Sequence, residues 1–210
     1  MSTPFDGRTK YEVRWNDLRA IEPTRSELMQ WSIALAEGYN DPINAPLMGH
    51  TSIISPREVV ESYEESIANG MRAFMFFVGD AFAGDGDLRN PRGLPGESSA
   101  LRMGRGMTAE FAFMIATPVA QGKGLGTRFA TMLHMFGFRE LGLRCIYASV
   151  VPENSGSRRV FEKLGYVVDD SPEGRAYAEE PGDITLSCEC EGFLARHRSF
   201  VDEIQIGVRS

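Results

Sequence analysis

The chain is poor in cysteine: Cys145, Cys188 and Cys190 are its only three in 210 residues. Three is too few, and an odd number, for a disulfide framework, which points to a reducing, cytoplasmic setting. It has no run of about 18 apolar residues, so no transmembrane helix is expected and no membrane partner. Residues 1–10 are polar and carry no apolar stretch of the kind that marks a secretory signal. Positive charge is in deficit, with 22 Lys and Arg against 29 Asp and Glu and a net charge of −7. That balance sets aside a protein that coats nucleic acid through its overall field, while leaving room for a local basic pocket. Histidine is scarce too, at three residues. His134 falls inside a helical pattern and His50 in a loop, so neither is an obvious catalytic group.

What is present reads as an α/β chain, a mixed sheet with helices on both faces, in one domain over 1–210. Tyr11 to Glu22 alternates loosely and is expected to be one strand. Thr24 or Ser26 can cap a helix running to Gly38, and Ser55-Pro56 can open a second over Arg57 to Asn69. Between them, Asp41 to Ser55 reads as a loop. Arg72 to Val78 suits a buried strand, and Gly79-Asp80 suits a turn into a return strand over Ala81 to Asp87. Arg89 to Gly106, rich in Gly, Pro, Ser and Arg, reads as a long loop or arm. Strands are expected over Thr108 to Ala116 and Arg144 to Val151. A helix is expected from Leu125 to Glu140 between them and another over Asn154 to Leu164. Two further strands follow, around Tyr166 to Asp169 and Ile184 to Glu191, then a short helix and a last strand. No internal repeat is visible. Cys188-x-Cys190 would set two thiols on one side of a strand, but no further ligands stand at metal spacing, so no metal is expected. Asp85-Gly86-Asp87 is only superficially like a calcium loop, because the terminal glutamate is missing.

The string Gln121-Gly122-Lys123-Gly124-Leu125-Gly126-Thr127 sits between a predicted strand and a predicted helix. A helix start exposes unpaired N–H groups and a dipole that favours an anion. Glycines let that backbone approach a phosphate without Cβ collisions. Two familiar phosphate loops do not fit. The third glycine comes one residue early for a dinucleotide fingerprint, and no Gly-Lys-Ser/Thr follows at P-loop spacing. Taken alone, the string is equally a strand-to-helix turn without a ligand.

Downstream, Pro152 stops the strand and Asn154 can cap the next helix. Asn154, Ser157, Phe161 and Leu164 fall on one face of it, an amide and a hydroxyl followed by apolar groups. That face suits a slender ligand of mixed polarity, though a plain helix cap explains the first two residues equally well.

Together, Gln121-x-x-Gly124-x-Gly126 and, about thirty residues on, Asn154-x-x-Ser157-x-x-x-x-Glu162-Lys163-x-Gly165-Tyr166 resemble the GNAT superfamily of N-acetyltransferases. The second string is most similar to the branch containing ribosomal-protein N-terminal acetyltransferases. The likeness is close over 108–166. It implies a mostly antiparallel mixed sheet whose strands over 108–116 and 144–151 splay apart around acetyl-CoA. The backbone of Met114, Ile115 and Ala116 would lie beside pantetheine and thioester. Main-chain N–H groups across Gly122, Lys123, Gly124, Leu125, Gly126 and Thr127 would take the pyrophosphate, with Gln121 at the turn's start. Asn154 would bond the pantetheine arm, and Lys123, Arg128, Arg158 and Arg159 could meet the 3′-phosphate.

The implied reaction is direct attack of a primary amine on the thioester in a ternary complex. It needs a proton acceptor for the amine and donors for the carbonyl oxygen and the leaving thiolate. Family members often carry a tyrosine where this chain has Phe161, which cannot donate. Ser157 is then the expected thiolate-side donor. Family members often carry a carboxylate at the position of Glu110, acting as base directly or through water, and strand alternation sets Glu110 opposite to Phe111, Phe113 and Ile115. The competing reading pairs Glu110 with a nearby arginine. Acceptor specificity is expected from 39–55 and 89–106, with Trp31, Tyr39 and Phe82 as candidate lining or core aromatics. Glu179-Glu180 and Asp169-Asp170 read as solvated surface that could attract a cation. The acceptor could be a small molecule or a peptide N-terminus. Rival readings are an acyl-CoA sensor without catalysis and a transferase of longer acyl chains. Exposed sheet edges or the 89–106 arm could support a homodimer.

Overall fold

The computed structural model describes residues 5, 7–49, 51–93, 103–116 and 122–209. Nine strands form one sheet in the order β7-β8-β6-β5-β4-β3-β2-β1-β9. In chain order they are β1 (Lys10–Trp15), β2 (Leu18–Ile21), β3 (Arg72–Val78), β4 (Ala81–Arg92), β5 (Thr108–Ile115), β6 (Cys145–Val150), β7 (Val167–Val168), β8 (Ile184–Glu189) and β9 (Gln205–Arg209). Every neighbouring pair is antiparallel except β5 with β6, which is parallel. The helices are α1 (Arg25–Asn40), α2 (Asn44–Leu47), α3 (Pro56–Ala68), α4 (Leu125–Met135), α5 (Ser155–Leu164), α6 (Pro172–Arg175) and α7 (Cys190–Arg196).

The sheet separates two cores. Alternation along β3 feeds both, because successive side chains leave a strand on opposite faces. Phe74 and Phe76 join Leu88, Phe111, Phe129 and Phe136 under α4 and α5. Ala73, Met75 and Phe77 join Leu28, Leu35, Val59 and Ile67 under α1 and α3. Both of those helices begin on a reciprocal cap. The Thr24 side chain accepts from Glu27 N while Glu27 reaches back to Thr24 N, and Ser55 and Glu58 repeat the arrangement with Pro56 in the first turn.

Several elements differ from the sequence reading. The single strand expected over Tyr11 to Glu22 is a hairpin, closed where Trp15 pairs with Leu18. Asn16 makes the turn at φ 55, a left-handed conformation that asparagine tolerates. β4 runs on to Arg92 rather than stopping at Asp87, because a bulge at Arg89/Arg92 absorbs Asn90 (φ 49) and Pro91 before pairing resumes at Thr108. The Asp41–Ser55 loop contains the one-turn helix α2, started where Asp41 Oδ1 accepts from Ile43 N and Asn44 N. Cys190 does not extend β8 but opens α7, so Cys188 and Cys190 do not share a strand face.

The helix expected to Glu140 is α4 followed by a π-helical turn over Phe136–Glu140. His134, on α4, is fully buried. Its Nδ1 stands 2.7 Å from Ala130 O and its Nε2 2.6 Å from Tyr166 Oη. A carbonyl only accepts, so Nδ1 carries the proton and Nε2 takes the Tyr166 hydroxyl. Gly165 (φ 94) ends α5, and Tyr166 follows at once and ties α5 to α4. The Gly-Tyr pair of the second motif therefore fixes the angle between the helices that frame the site.

Burial lowers the His134 pKa from 6.5 to about 3. A depressed folded pKa contributes stability that is present above the unfolded value and lost as pH falls. His134→Gln cannot titrate. The stability of the protein relative to this variant should therefore fall by up to about 1.4 kcal/mol per pH unit between 6.5 and 3. Urea unfolding of both proteins across that window checks it, and a constant difference would show that His134 is not held neutral.

Candidate active site

β5 and β6 pair only through Thr108↔Cys145, Ala109↔Ile146 and Glu110↔Tyr147. Beyond Glu110 they diverge, although β5 continues to Ile115 and β6 to Val150. The result is a V with Glu110 at its apex. Ala116 N–H is spent on Ala83 O at 2.9 Å, so its main chain faces β4 and not the V. The alternation of an antiparallel ladder then turns the main chains of Ile115 and Phe113 toward the gap.

A cleft of about 380 Å³ opens beside the V. Asp85, Asp87 and Arg89 on β4 line it, opposite Met114, Ala112 and Glu110 on β5. Asn154 and Ser157 of α5 line another wall, and Tyr39 and Tyr63 of α1 and α3 line a third.

The glycine-rich turn leads into α4. Gly122 and Gly124 adopt φ 72 and 76, and among the described residues a Cβ on either would meet nothing within 4 Å. Gly124 is the residue before α4, and no side chain caps that end among the described residues. Uncapped N–H groups at a helix start are the kind of donor a pyrophosphate would take. With the anion at this turn, a slender thioester arm laid along the gap would bring its acyl end toward Glu110. The V and the open turn fit acetyl-CoA.

A family model described as an acetyltransferase (GNAT) domain matches residues 16–167. The chain belongs to the GNAT acetyltransferase family. The spermidine N(1)-acetyltransferase of Escherichia coli (strain K12) is 41% identical over 61 residues, 29% of this chain and 32% of that protein. The match thus spans about a third of that curated relative. Mycobacterium smegmatis RimJ in complex with CoA-disulfide aligns with a TM-score of 0.63 at 18% identity, covering 98% of this chain and 99% of that one. The ribosomal-protein-S5-alanine acetyltransferase from Vibrio fischeri aligns with a TM-score of 0.64 at 17% identity, covering 87% and 98%. At such identities the likeness is one of fold.

Within this GNAT fold the expected site residues are distributed unevenly. Glu110 and Ser157 both line the cleft, as do Met114 and Asn154. Lys123 is exposed beside Gly122 and Gly124, while Leu125, Gly126 and Thr127 are half-buried. Gln121 and His50 lie outside the described residues, as does 94–102 of the arm. Asn154 is a cap: its Oδ1 accepts from Ser157 N at 3.0 Å and its Nδ2 donates to Leu47 O at 3.2 Å. Arg128 turns to Asp17 at 3.3 Å and lies over the Trp15 ring, away from the turn. Arg159 folds back on Ser155. Phe161 is a core residue, edge-on to Phe111 and Phe113. Trp31 and Phe82 stack on each other at 5.2 Å, so of the three proposed aromatics only Tyr39 reaches the cleft.

Glu110 is 2% exposed, and Asn90 Nδ2 donates to its Oε2 at 2.7 Å. The left-handed Asn90 in the bulge aims that amide. Burial raises the Glu110 pKa to about 7, with Glu179 and Asp87 adding to the rise and Arg89 opposing it. Arg89 does not pair with Glu110 but forks onto Asp87 at 2.7 and 2.9 Å. Sequence reasoning missed Asp85. It is 3% exposed, and its Oδ2 accepts from Tyr39 Oη at 2.6 Å and from Tyr63 Oη. Strand alternation with Glu110's partner Arg89 could have found it, because Asp85, Asp87 and Arg89 share a parity.

Proposed function

We propose that this protein is an enzyme that transfers an acetyl group from acetyl-CoA to a primary amine, by direct attack within a ternary complex. The observation that carries the reading is the V: β5 and β6 part immediately after Glu110, and Glu110 and Ser157 line the same cleft. Bound acetyl-CoA supplies an activated acyl carbon and a thiolate leaving group. The amine nitrogen forms its bond to that carbon as the carbon–sulfur bond breaks. Glu110 takes the amine proton, and with a pKa near 7 it is ionised in about half the molecules at neutral pH. Ser157, on the first turn of α5, donates a hydrogen bond to the departing sulfur, which leaves as the thiolate. The Phe161 ring holds this wall by packing, in place of a tyrosine donor.

A covalent acyl-enzyme is disfavoured by the cysteines. Among the described residues none lines the cleft, and burial drives the thiols of Cys145 and Cys188 up to about 12. A thiol at that value is almost never the nucleophilic thiolate. The acid-rich wall and the spermidine-acetylating relative both favour a cationic amine as acceptor.

Initial rates measured with both substrates varied test the reading, using simple alkylamines as acceptors and mass detection of the N-acetyl product. Lines that intersect are expected. Parallel lines would indicate a covalent intermediate, and an absence of product with tight acetyl-CoA binding would favour a sensor.

A further inference from the structure

The cleft carries more negative charge than the transfer step needs. Asp85, Asp87, Glu110, Glu179, Glu180 and Asp183 line it, and Arg89 is the one cationic side chain there among the described residues. Arg89 is taken up by Asp87, and its next carboxylate contact, Glu179, is 3.6 Å away. Asp183 Oδ2 receives Ser149 Oγ at 2.8 Å and Glu180 N at 3.2 Å, so that loop is held with its acids at the cleft. A polyanion such as coenzyme A would be repelled from this wall, which marks it as the acceptor side.

Asp85 is an independent observation. Both tyrosine hydroxyls converge on one of its oxygens, and they stand 3.1 Å from each other. The other oxygen, Oδ1, is buried and has no hydrogen-bond partner among the described residues. Leaving a buried carboxylate oxygen without a donor is costly, so such an atom usually marks a place where something else binds. The phenols are fixed as donors, since burial and the adjacent carboxylate push both pKa values well above 10. A donor from the cleft would complete Asp85, and the best match for an anion in low dielectric is a cation.

Register gives the spacing. Asp85 pairs with Met114 and Arg89 with Glu110, so Asp85 and Glu110 lie four residues apart along the same face. At the rise of a strand their Cα atoms are about 14 Å apart, and their side chains can shorten that to roughly 10 Å. Between them on that face lie Ala112 on β5 and Asp87 on β4, and Asp87 is already taken up by Arg89.

We propose that the acceptor is an extended aliphatic chain with an ammonium group at each end, one seated on Oδ1 of Asp85 while the other nitrogen is delivered to Glu110. The inference rests on the acetyl-transfer reading for which nitrogen reacts, and on Asp85 for the second charge. Asp85 acts as a length gauge: a chain too short to reach it loses the anchoring contact, and a monoamine never makes it.

Octamethylenediamine, tetramethylenediamine and octylamine separate the possibilities. With the wild-type protein, kcat/KM for octamethylenediamine should exceed that for octylamine by about tenfold or more, as expected for one buried charge-assisted contact. Tetramethylenediamine should fall near octylamine. Asp85→Asn should erase the advantage of octamethylenediamine over octylamine, and should do so through KM. Its melting temperature would report any folding defect, and the wild-type length series stands without it. Equal turnover of octylamine and octamethylenediamine would overturn the inference and leave acetyl transfer intact. Calorimetric binding of octamethylenediamine that depends on Asp85, without transfer to any amine, would keep the dication site and overturn the transfer reading.

Discussion

Replacing Glu110 with glutamine should lower kcat by about a hundredfold or more, the scale of a lost general base. The substitution keeps the size of the side chain and its acceptor for Asn90 Nδ2, so it removes the proton acceptor and little else. In the wild-type protein, kcat/KM should rise with pH and level off above an inflection near 7, where burial places Glu110. In Glu110→Gln that inflection should vanish. The same pKa makes an opposite prediction for stability. A raised folded pKa contributes stability that is fully present below the unfolded value, 4.5, and lost as pH rises through 7. Above that pH the protein carries a buried anion that Glu110→Gln does not. The variant should therefore be more stable than wild type at pH 8, by about 1–3 kcal/mol, and the gain should shrink toward pH 4.5. A less active and more stable variant is the pattern expected of a functional group held at a cost. Unchanged kcat would remove Glu110 from the mechanism.

Gly84→Ala should cost about 3 kcal/mol or more and lower the melting temperature by on the order of 10 °C. Gly84 sits on β4 opposite Ile115, with φ at 150. A Cβ there would stand 2.0 Å from Met114 O, 3.0 Å from Met114 C and 3.1 Å from Ala116 N. These are backbone atoms of β5, so no side chain can rotate away. The strand must move, and it is the strand that forms one arm of the V and carries Asp85's partner. Acetyl-CoA affinity should therefore fall with stability. Gly207→Ala is the control, since among the described residues a Cβ on Gly207 meets nothing within 4 Å. A Gly84→Ala protein with wild-type melting and affinity would show that β4 and β5 can separate there without consequence.

Local chemistry was legible in the sequence, and convergence was not. The reciprocal caps at Thr24 and Ser55, the strand over Arg72–Val78 and the strand-turn-helix around Gly124 each announce themselves within a few residues. Strand parity set Glu110 apart from Phe111 and Phe113; Glu110 lines the cleft, and so do both rings. The hairpin at Asn16 was hidden because Asn-Asp is a weaker turn signal than Asn-Gly. The extension of β4 was hidden because Asn90-Pro91 reads as a breaker, and only the pairing with β5 accommodates it. Asp85 looked like part of an incomplete calcium loop. Its environment comes from Tyr39 and Tyr63, 46 and 22 residues away, and nothing local records that meeting. Arg128 likewise looked available for phosphate until the fold brought Asp17 and Trp15 beneath it.

Calorimetric titration with acetyl-CoA tests the central claim most directly, that the V and the start of α4 form its binding site. Wild type and Glu110→Gln should both bind saturably, because Glu110 acts on the amine. Gly124→Glu should not bind, since it puts a side chain and a negative charge where the open turn at φ 76 would face the pyrophosphate. Folded wild-type protein that shows no saturation into the millimolar range would contradict the account, as would a Gly124→Glu variant that binds as well as wild type.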